Sequence, residues 1–135
     1  MVTKSSPEFR TQYLTQAAYG NPKTPDPLSV PLPEWISSLN INIVSLYAAA
    51  QEAVKGFREL PEETLKTFIF TGNCCPHVTL PVITSLSVGK TATANLIQNA
   101  TAAYKEEGFR FVSLPLLSSP LEDTQDILLI ATLVL

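Results

Sequence analysis

A chain of 135 residues with a net charge of −3 is one domain's worth of sequence, long enough for a single real core. Apolar residues make up 45% and charged residues only 16%, which excludes a disordered chain. The nine basic residues are scattered, which excludes a basic footprint for nucleic acid or a polybasic patch for an anionic membrane.

Met1 to Arg10 read as a loose, polar end without the apolar stretch of a signal peptide. Thr11 to Ala18 predicts a short strand. Tyr19 to Pro33 contains Pro22, Pro25, Pro27, Pro31 and Pro33 and predicts an extended loop. The next helix is expected to start at Pro33, with Glu34 favouring the positive end of its dipole, and to run to about Arg58. Trp35, Ile36, Leu39, Ile43, Leu46, Tyr47, Ala50, Val54 and Phe57 recur mostly at helical steps and give it one apolar face.

A polar connector around Pro61 leads to Thr67–Thr71 (TFIFT), a β-branched and aromatic run expected to form a strand covered on both faces. Gly72 to Ser85 is punctuated as a loop by Gly72, Pro76 and Pro81. Ser87 is the expected N-cap of a second helix reaching about Glu107, with Val88, Ala92, Leu96, Ile97, Ala100, Ala103 and Tyr104 on its apolar face. Gly108 is the expected C-cap, and Phe109 to Leu114 predicts another strand. Strand, helix, strand, helix, strand with crossovers of this length implies parallel pairing.

The tail from Ile127 to Leu135 is apolar except at Thr132. It fits a buried strand or an apolar helix, and periodicity does not decide between them. It is shorter than the ~20 residues a bilayer crossing needs, so no membrane partner is expected. The single domain thus divides into residues 11–114, which carry the alternating elements, and a divergent tail, 115–135. Cys74 and Cys75 are adjacent, and a ring between neighbours is strained, so they form no disulfide framework. With one histidine they also give no zinc spacing. A reducing, cytoplasmic location and no metal are expected.

The ordered set Gln16-Ala17-Ala18, Leu39-Asn40-Ile41-Asn42-Ile43, Thr71-Gly72-Asn73, Ser87-Val88-Gly89-Lys90 and Gly108-Phe109-Arg110-Phe111-Val112 resembles the short-chain dehydrogenase/reductase superfamily, in particular the C-terminal half of an atypical fungal member. The likeness covers about three quarters of the chain. By that likeness Asn42 matches the family's asparagine and Lys90 its active-site lysine on the first turn of a helix. The serine position falls at or near Asn73. The tyrosine position falls on Leu86, which can donate no proton. The resemblance also implies a homodimer built on the two long helices.

The five glycines are widely spaced and form no G-x-G-x-x-G, so a nicotinamide dinucleotide is not expected to bind in the usual way and no cofactor is expected. The fold expected is α/β: a truncated, half Rossmann-like, three-layer fold with a parallel sheet of at least three strands. The function expected is a cofactor-independent isomerase, cyclase or dehydratase acting on a small organic substrate. Its pocket would be lined by Gln16 to Tyr19, Asn73 to His77 and Leu114 to Leu117, with Lys90, Asn42, His77 and Asn73 as its catalytic set. The alternatives are an inactive remnant that binds or dimerises, and an NAD(P)-dependent oxidoreductase with an atypical site. Each residue also has a structural reading: Lys90 as a solvated lysine, Asn42 as a partner for backbone groups at a helix kink, and His77 as a loop residue.

Overall fold

The computed structural model describes residues 24–115. The strand expected at Thr11 to Ala18, the pocket segment Gln16 to Tyr19, and the tail beyond Pro115 lie outside them.

A long helical stretch comes first. It consists of α1 (Leu32–Leu39), a π-helical turn (Asn40–Val44) and α2 (Ser45–Glu59). Pro31 is the N-cap residue and Glu34 lies in the first turn, so the helix starts slightly before the expected Pro33. The π turn has a physical reason. Ser38, Asn42 and Leu46 are buried, Ala50 partly so, and Val54 is buried. That stripe advances in steps of four, which outruns a 3.6-residue helix by about 40° per step. A π turn takes up extra residue and keeps the stripe facing inward. Ile36 and Tyr47, expected on the apolar face, are instead 47% and 50% exposed.

Two strands, β1 (Lys66–Gly72) and β2 (Phe109–Pro115), pair in parallel, with Phe68 opposite Phe111 and Phe70 opposite Ser113. They form a two-stranded sheet among the described residues. Helix α3 (Thr84–Ala103) makes the crossover. The parallel order and the α/β architecture agree with the sequence. The burial of β1 does not: Phe68 and Phe70 are buried, while Ile69 is 60% exposed. The strand therefore alternates instead of being covered on both faces.

The covered face carries the core. Phe68, Phe70, Phe109 and Phe111 pack against Leu46, Val54 and Ile97. Phe111 is ringed by Phe68, Tyr104 and Phe57, at centroid separations of 5.7, 5.6 and 6.4 Å, within the range where aromatic pairs attract. Thr101 Oγ1 donates to the Phe111 carbonyl at 2.9 Å and ties α3 to β2. Beyond α3 the chain turns through Gly108, whose φ of +72° suits a residue without a Cβ. Gly108 therefore serves the turn into β2; the helix itself is capped at Tyr104. Arg58 and Glu107 close the same end with paired contacts of 3.1 and 3.2 Å.

Candidate functional site

Helix α3 starts earlier than Ser87. A 3-10 turn at Pro81–Ile83 feeds it, Ile83 is the N-cap residue, and Thr84 Oγ1 donates to the Pro81 carbonyl at 2.6 Å. Lys90 therefore lies in the second turn, not the first. The dipole of a helix terminus fades within one turn, so the electrostatics at Lys90 are those of its own ammonium. Val88, expected in the core, is 41% exposed. The inward face of α3 is Ser85, Leu86, Gly89, Lys90, Thr93 and Ile97.

Lys90 is only 7% exposed. Its Nζ lies 5.0 Å from the centroid of the Phe70 ring, a cation–π contact. Burial pushes its pKa below the usual lysine value, and the Cys75 thiol opposes that with a smaller upward pull. Among the described residues no carboxylate pairs with it. The solvated reading of Lys90 is thereby corrected: it is a buried cation.

Asn42 sits in the π turn, 1% exposed. Its Nδ2 donates to the Ser38 carbonyl at 3.0 Å, as a residue serving a helix irregularity would. It packs on the residue before Lys90: a Cβ placed on Gly89 would meet Asn42 Cβ at 2.7 Å. Only a glycine lets the two helices approach so closely. The structure thus brings Asn42 and the Lys90 turn together.

Asn73 is half-buried after β1, and its Oδ1 accepts a hydrogen bond from the Cys75 backbone N–H at 3.0 Å. This Asx turn sets Cys75, 6% exposed, into the interior. His77 is exposed, and its backbone N–H donates to the Cys74 carbonyl at 2.8 Å. The notable cleft, about 480 Å³, is lined by Cys75, Val78, Leu80, Pro81, Ser87 and Val88, among others. None of Lys90, Asn42, Asn73 and His77 lines it. At 100° per residue, Val88 and Thr91 point away from Leu86 and Thr93, while Ser87, three residues before Lys90, lies only about 60° from it on the flank of α3. Cys75 belongs to both sides: it lines the cleft and its thiol acts on the Lys90 ammonium.

Sequence reasoning passed over Cys75, Ser87 and the small buried residues Ser38, Ser85 and Thr93. A signal was present. Ser85, Gly89 and Thr93 recur at steps of four, the mark of a small-residue helix contact. None of the four glycines among the described residues lies in a glycine-rich turn. Gly56 is inside α2, a Cβ on Gly72 would meet Ser113 Oγ at 3.0 Å, Gly89 packs on Asn42, and Gly108 follows a helix. The described residues also hold no cluster of three or more side chains able to bind a metal, and no helix among them is long and apolar enough to cross a membrane.

Comparison with known proteins places this geometry. The chain is 41% identical over 86 residues to the short chain dehydrogenase/reductase dmxR12 of Cryptosporiopsis sp. (strain 8999). The match covers 64% of this chain and 35% of that protein. The chain resembles the short-chain dehydrogenase/reductase superfamily. It spans about a third of the length of the curated relative it matches. No family model matches it. The fold agrees. A short chain dehydrogenase from Mycobacterium smegmatis superposes with a TM-score of 0.65 at 16% identity, covering 77% of this chain and 42% of that one. Sorbitol-6-phosphate 2-dehydrogenase SrlD from Erwinia amylovora gives 0.61 at 20% identity, covering 77% and 38%. Both support a Rossmann-like α/β fold for this chain.

Proposed function

We propose that this short-chain dehydrogenase/reductase-derived chain acts on a small organic carbonyl compound without hydride transfer, as an isomerase, cyclase or dehydratase. The observation that carries this reading is the buried Lys90 ammonium, held over Phe70 with no carboxylate partner among the described residues. A buried cation of perturbed pKa is costly to keep and is a mark of a functional site. Leu86, 6% exposed, stands at the position the likeness assigns to a tyrosine acid, which supports chemistry other than reduction. In this reading Lys90 stabilises oxyanion charge on the substrate. Asn42 and Asn73 hold the two segments that frame it, and His77, exposed on the loop after β1, is the candidate acid or base.

Mass-spectrometric screening of small carbonyl compounds, with and without NADPH and NADH, tests the reading. Conversion without nicotinamide is expected, with Lys90→Met lowering turnover at least ~10-fold, a cautious fraction of the ~10²–10³ typical of a lost oxyanion contact. Turnover that requires a nicotinamide would sink it, and so would full activity in Lys90→Met.

A second reading, a dimerising module, is favoured by the apolar side chains that α1, the π turn and α2 leave outside: Leu32, Ile36, Val44 and Tyr47, 67%, 47%, 54% and 50% exposed. Such a row fits a second copy of the chain. Light scattering at twice the 14.7 kDa chain mass is the expected result, and a monomer at high concentration the contrary one.

A further inference from the structure

On the covered face of the sheet the cross-strand rows are Lys66 with Phe109, Phe68 with Phe111, and Phe70 with Ser113. Phe68, Phe109 and Phe111 each lie against other aromatic rings. Phe70 is the exception. It is 3% exposed, its cross-strand neighbour is the small Ser113, and it has no aromatic partner among the described residues. Its ring meets the Lys90 ammonium instead, at 5.0 Å. Lys90 in turn has no carboxylate partner among the described residues. A carboxylate would hold a lysine head firmly, but it would also neutralise the charge and occupy the N–H donors. An aromatic face attracts a cation through its quadrupole and carries no net charge. A lysine resting on a ring is therefore held in place with its charge and its donors still available.

We propose that Phe70 is the positioning residue of the Lys90 site: its ring face fixes the ammonium, so that a substrate oxyanion meets a charge already in place and not neutralised. The proposal rests on the reading of Lys90 as the group that stabilises oxyanion charge. Fixing the ammonium matters because such a contact is worth most when the donor needs no reorganisation as charge develops. Burial strengthens the hold, since a desolvated cation–π pair is worth more than an exposed one. The ring itself is held from two sides. Phe70 belongs to the core with Leu46, Phe68 and Ile97, and its Cε1 lies 3.8 Å from where a Cβ on Gly72 would stand. The other end of the sheet supplies a control. Lys66 is as buried as Lys90, and its Nζ lies 5.4 Å from the Phe109 centroid. Phe109 also lies against Phe57 and Tyr104, so that lysine is one neighbour among several.

The test reads the lysine side chain directly, by NMR order parameters of the ε-methylene groups in the full chain. In the wild type Lys90 should be ordered, and the exposed Lys105 should be mobile. Phe70→Leu should bring Lys90 to the mobility of Lys105 while Lys66 stays as it was. Phe70→Tyr, which keeps a ring face, should keep Lys90 ordered. Phe111→Leu removes a ring elsewhere in the same core and should leave Lys90 ordered too. If Phe70→Leu does not fold, Phe70→Met fills the space without a ring. On a carbonyl compound that the chain turns over, Phe70→Leu should lower kcat by ~3–30-fold, the span of a cation–π contact, with KM little changed and Phe70→Tyr near wild type. A wild-type Lys90 as mobile as Lys105, an ordered Lys90 in the ring-less variant, or equal loosening in Phe111→Leu would each overturn the assignment of Phe70. Failure to find any turnover that depends on Lys90 would instead remove the oxyanion reading, and the order parameters would still decide whether Phe70 holds the ammonium.

Discussion

The two halves of α3 are packed by opposite means. Its C-terminal half sets Leu96, Ile97, Ala100 and Tyr104 on the phenylalanines of β1 and β2. Its N-terminal half, with Ser85, Gly89 and Thr93 buried, packs on α1 and the π turn, where Gly89 meets Asn42, while Lys90 reaches over Phe70. The largest side chains that are fully buried, Asn42, Thr93, Ser38 and Ser85, all belong to the second contact. The Ser38 and Ser85 hydroxyls have no hydrogen-bond partner among the described residues, at a typical cost of ~1–3 kcal/mol for each buried hydroxyl left unpaired. One half is built for stability. The other carries small and polar side chains that contribute less to it.

That contrast can be broken by mutation. The largest effect is expected in the aromatic half: Phe111→Ala should lower unfolding free energy by ~3–5 kcal/mol in urea titration. A loss under ~1.5 kcal/mol would mean that the ring cluster is not the core. Next comes the helix contact. Gly89→Ala forces a Cβ to 2.7 Å from Asn42 Cβ, an overpacking cost of ~1–3 kcal/mol, partly offset by the ~1 kcal/mol by which alanine favours a helix. Net destabilisation is expected, whereas Gly56→Ala, with open space around it, should stabilise. Equal effects at the two glycines would remove the close approach.

Lys90→Met sharpens the comparison by its sign. Burial disfavours the charged lysine in the fold, so the unfolded chain holds that proton more tightly. Wild-type stability should therefore rise as pH climbs from the lowered folded value toward the ordinary lysine value. The variant should be as stable as wild type or more stable at neutral pH, and should lack that rise. Parallel stability–pH curves for the two proteins would contradict the burial of the charge. The smallest effect belongs to Glu107. The Arg58 hydrogen bond holds its carboxyl below the usual range, so its contribution is present above the ordinary carboxylate value and fades as pH falls through the folded one. Both partners are exposed, and Glu107→Gln should shift the melting temperature less than Phe111→Ala or Gly89→Ala. A shift as large as that of Gly89→Ala would show the pair to be a true clamp.

Much of the aromatic half was legible in the sequence. Both strands were expected from TFIFT and Phe109 to Leu114, which places their phenylalanines in a core, but the unbroken run Phe68-Ile69-Phe70 reads as covered on both faces and hides the exposure of Ile69. The polar half was legible only through the likeness to a family, which pointed to Asn42 and Lys90. Its own signal was misread because small and polar residues do not register as an inward face. For that reason Val88 was expected inside and Ser87 at a cap. Pro81 was the better start signal, since a proline suits the first turn that leads into α3. Which side of α3 the cleft takes could not be read from residue types, because it depends on where the loop after β1 lies against the helix.

The π turn at Asn40–Val44 has a consequence for how this chain can tolerate change in length. Removing one residue from it would restore a regular helix and rotate everything beyond by about 100°. Leu46, Val54 and Phe57 would then swing away from the sheet, or Asn42 away from Gly89. The extra residue works as a phase shifter that keeps both contacts in register along one rod. Single-residue deletions between Asn40 and Val44 should therefore be far less tolerated than substitutions there, and deletions in the connector around Pro61 far more so.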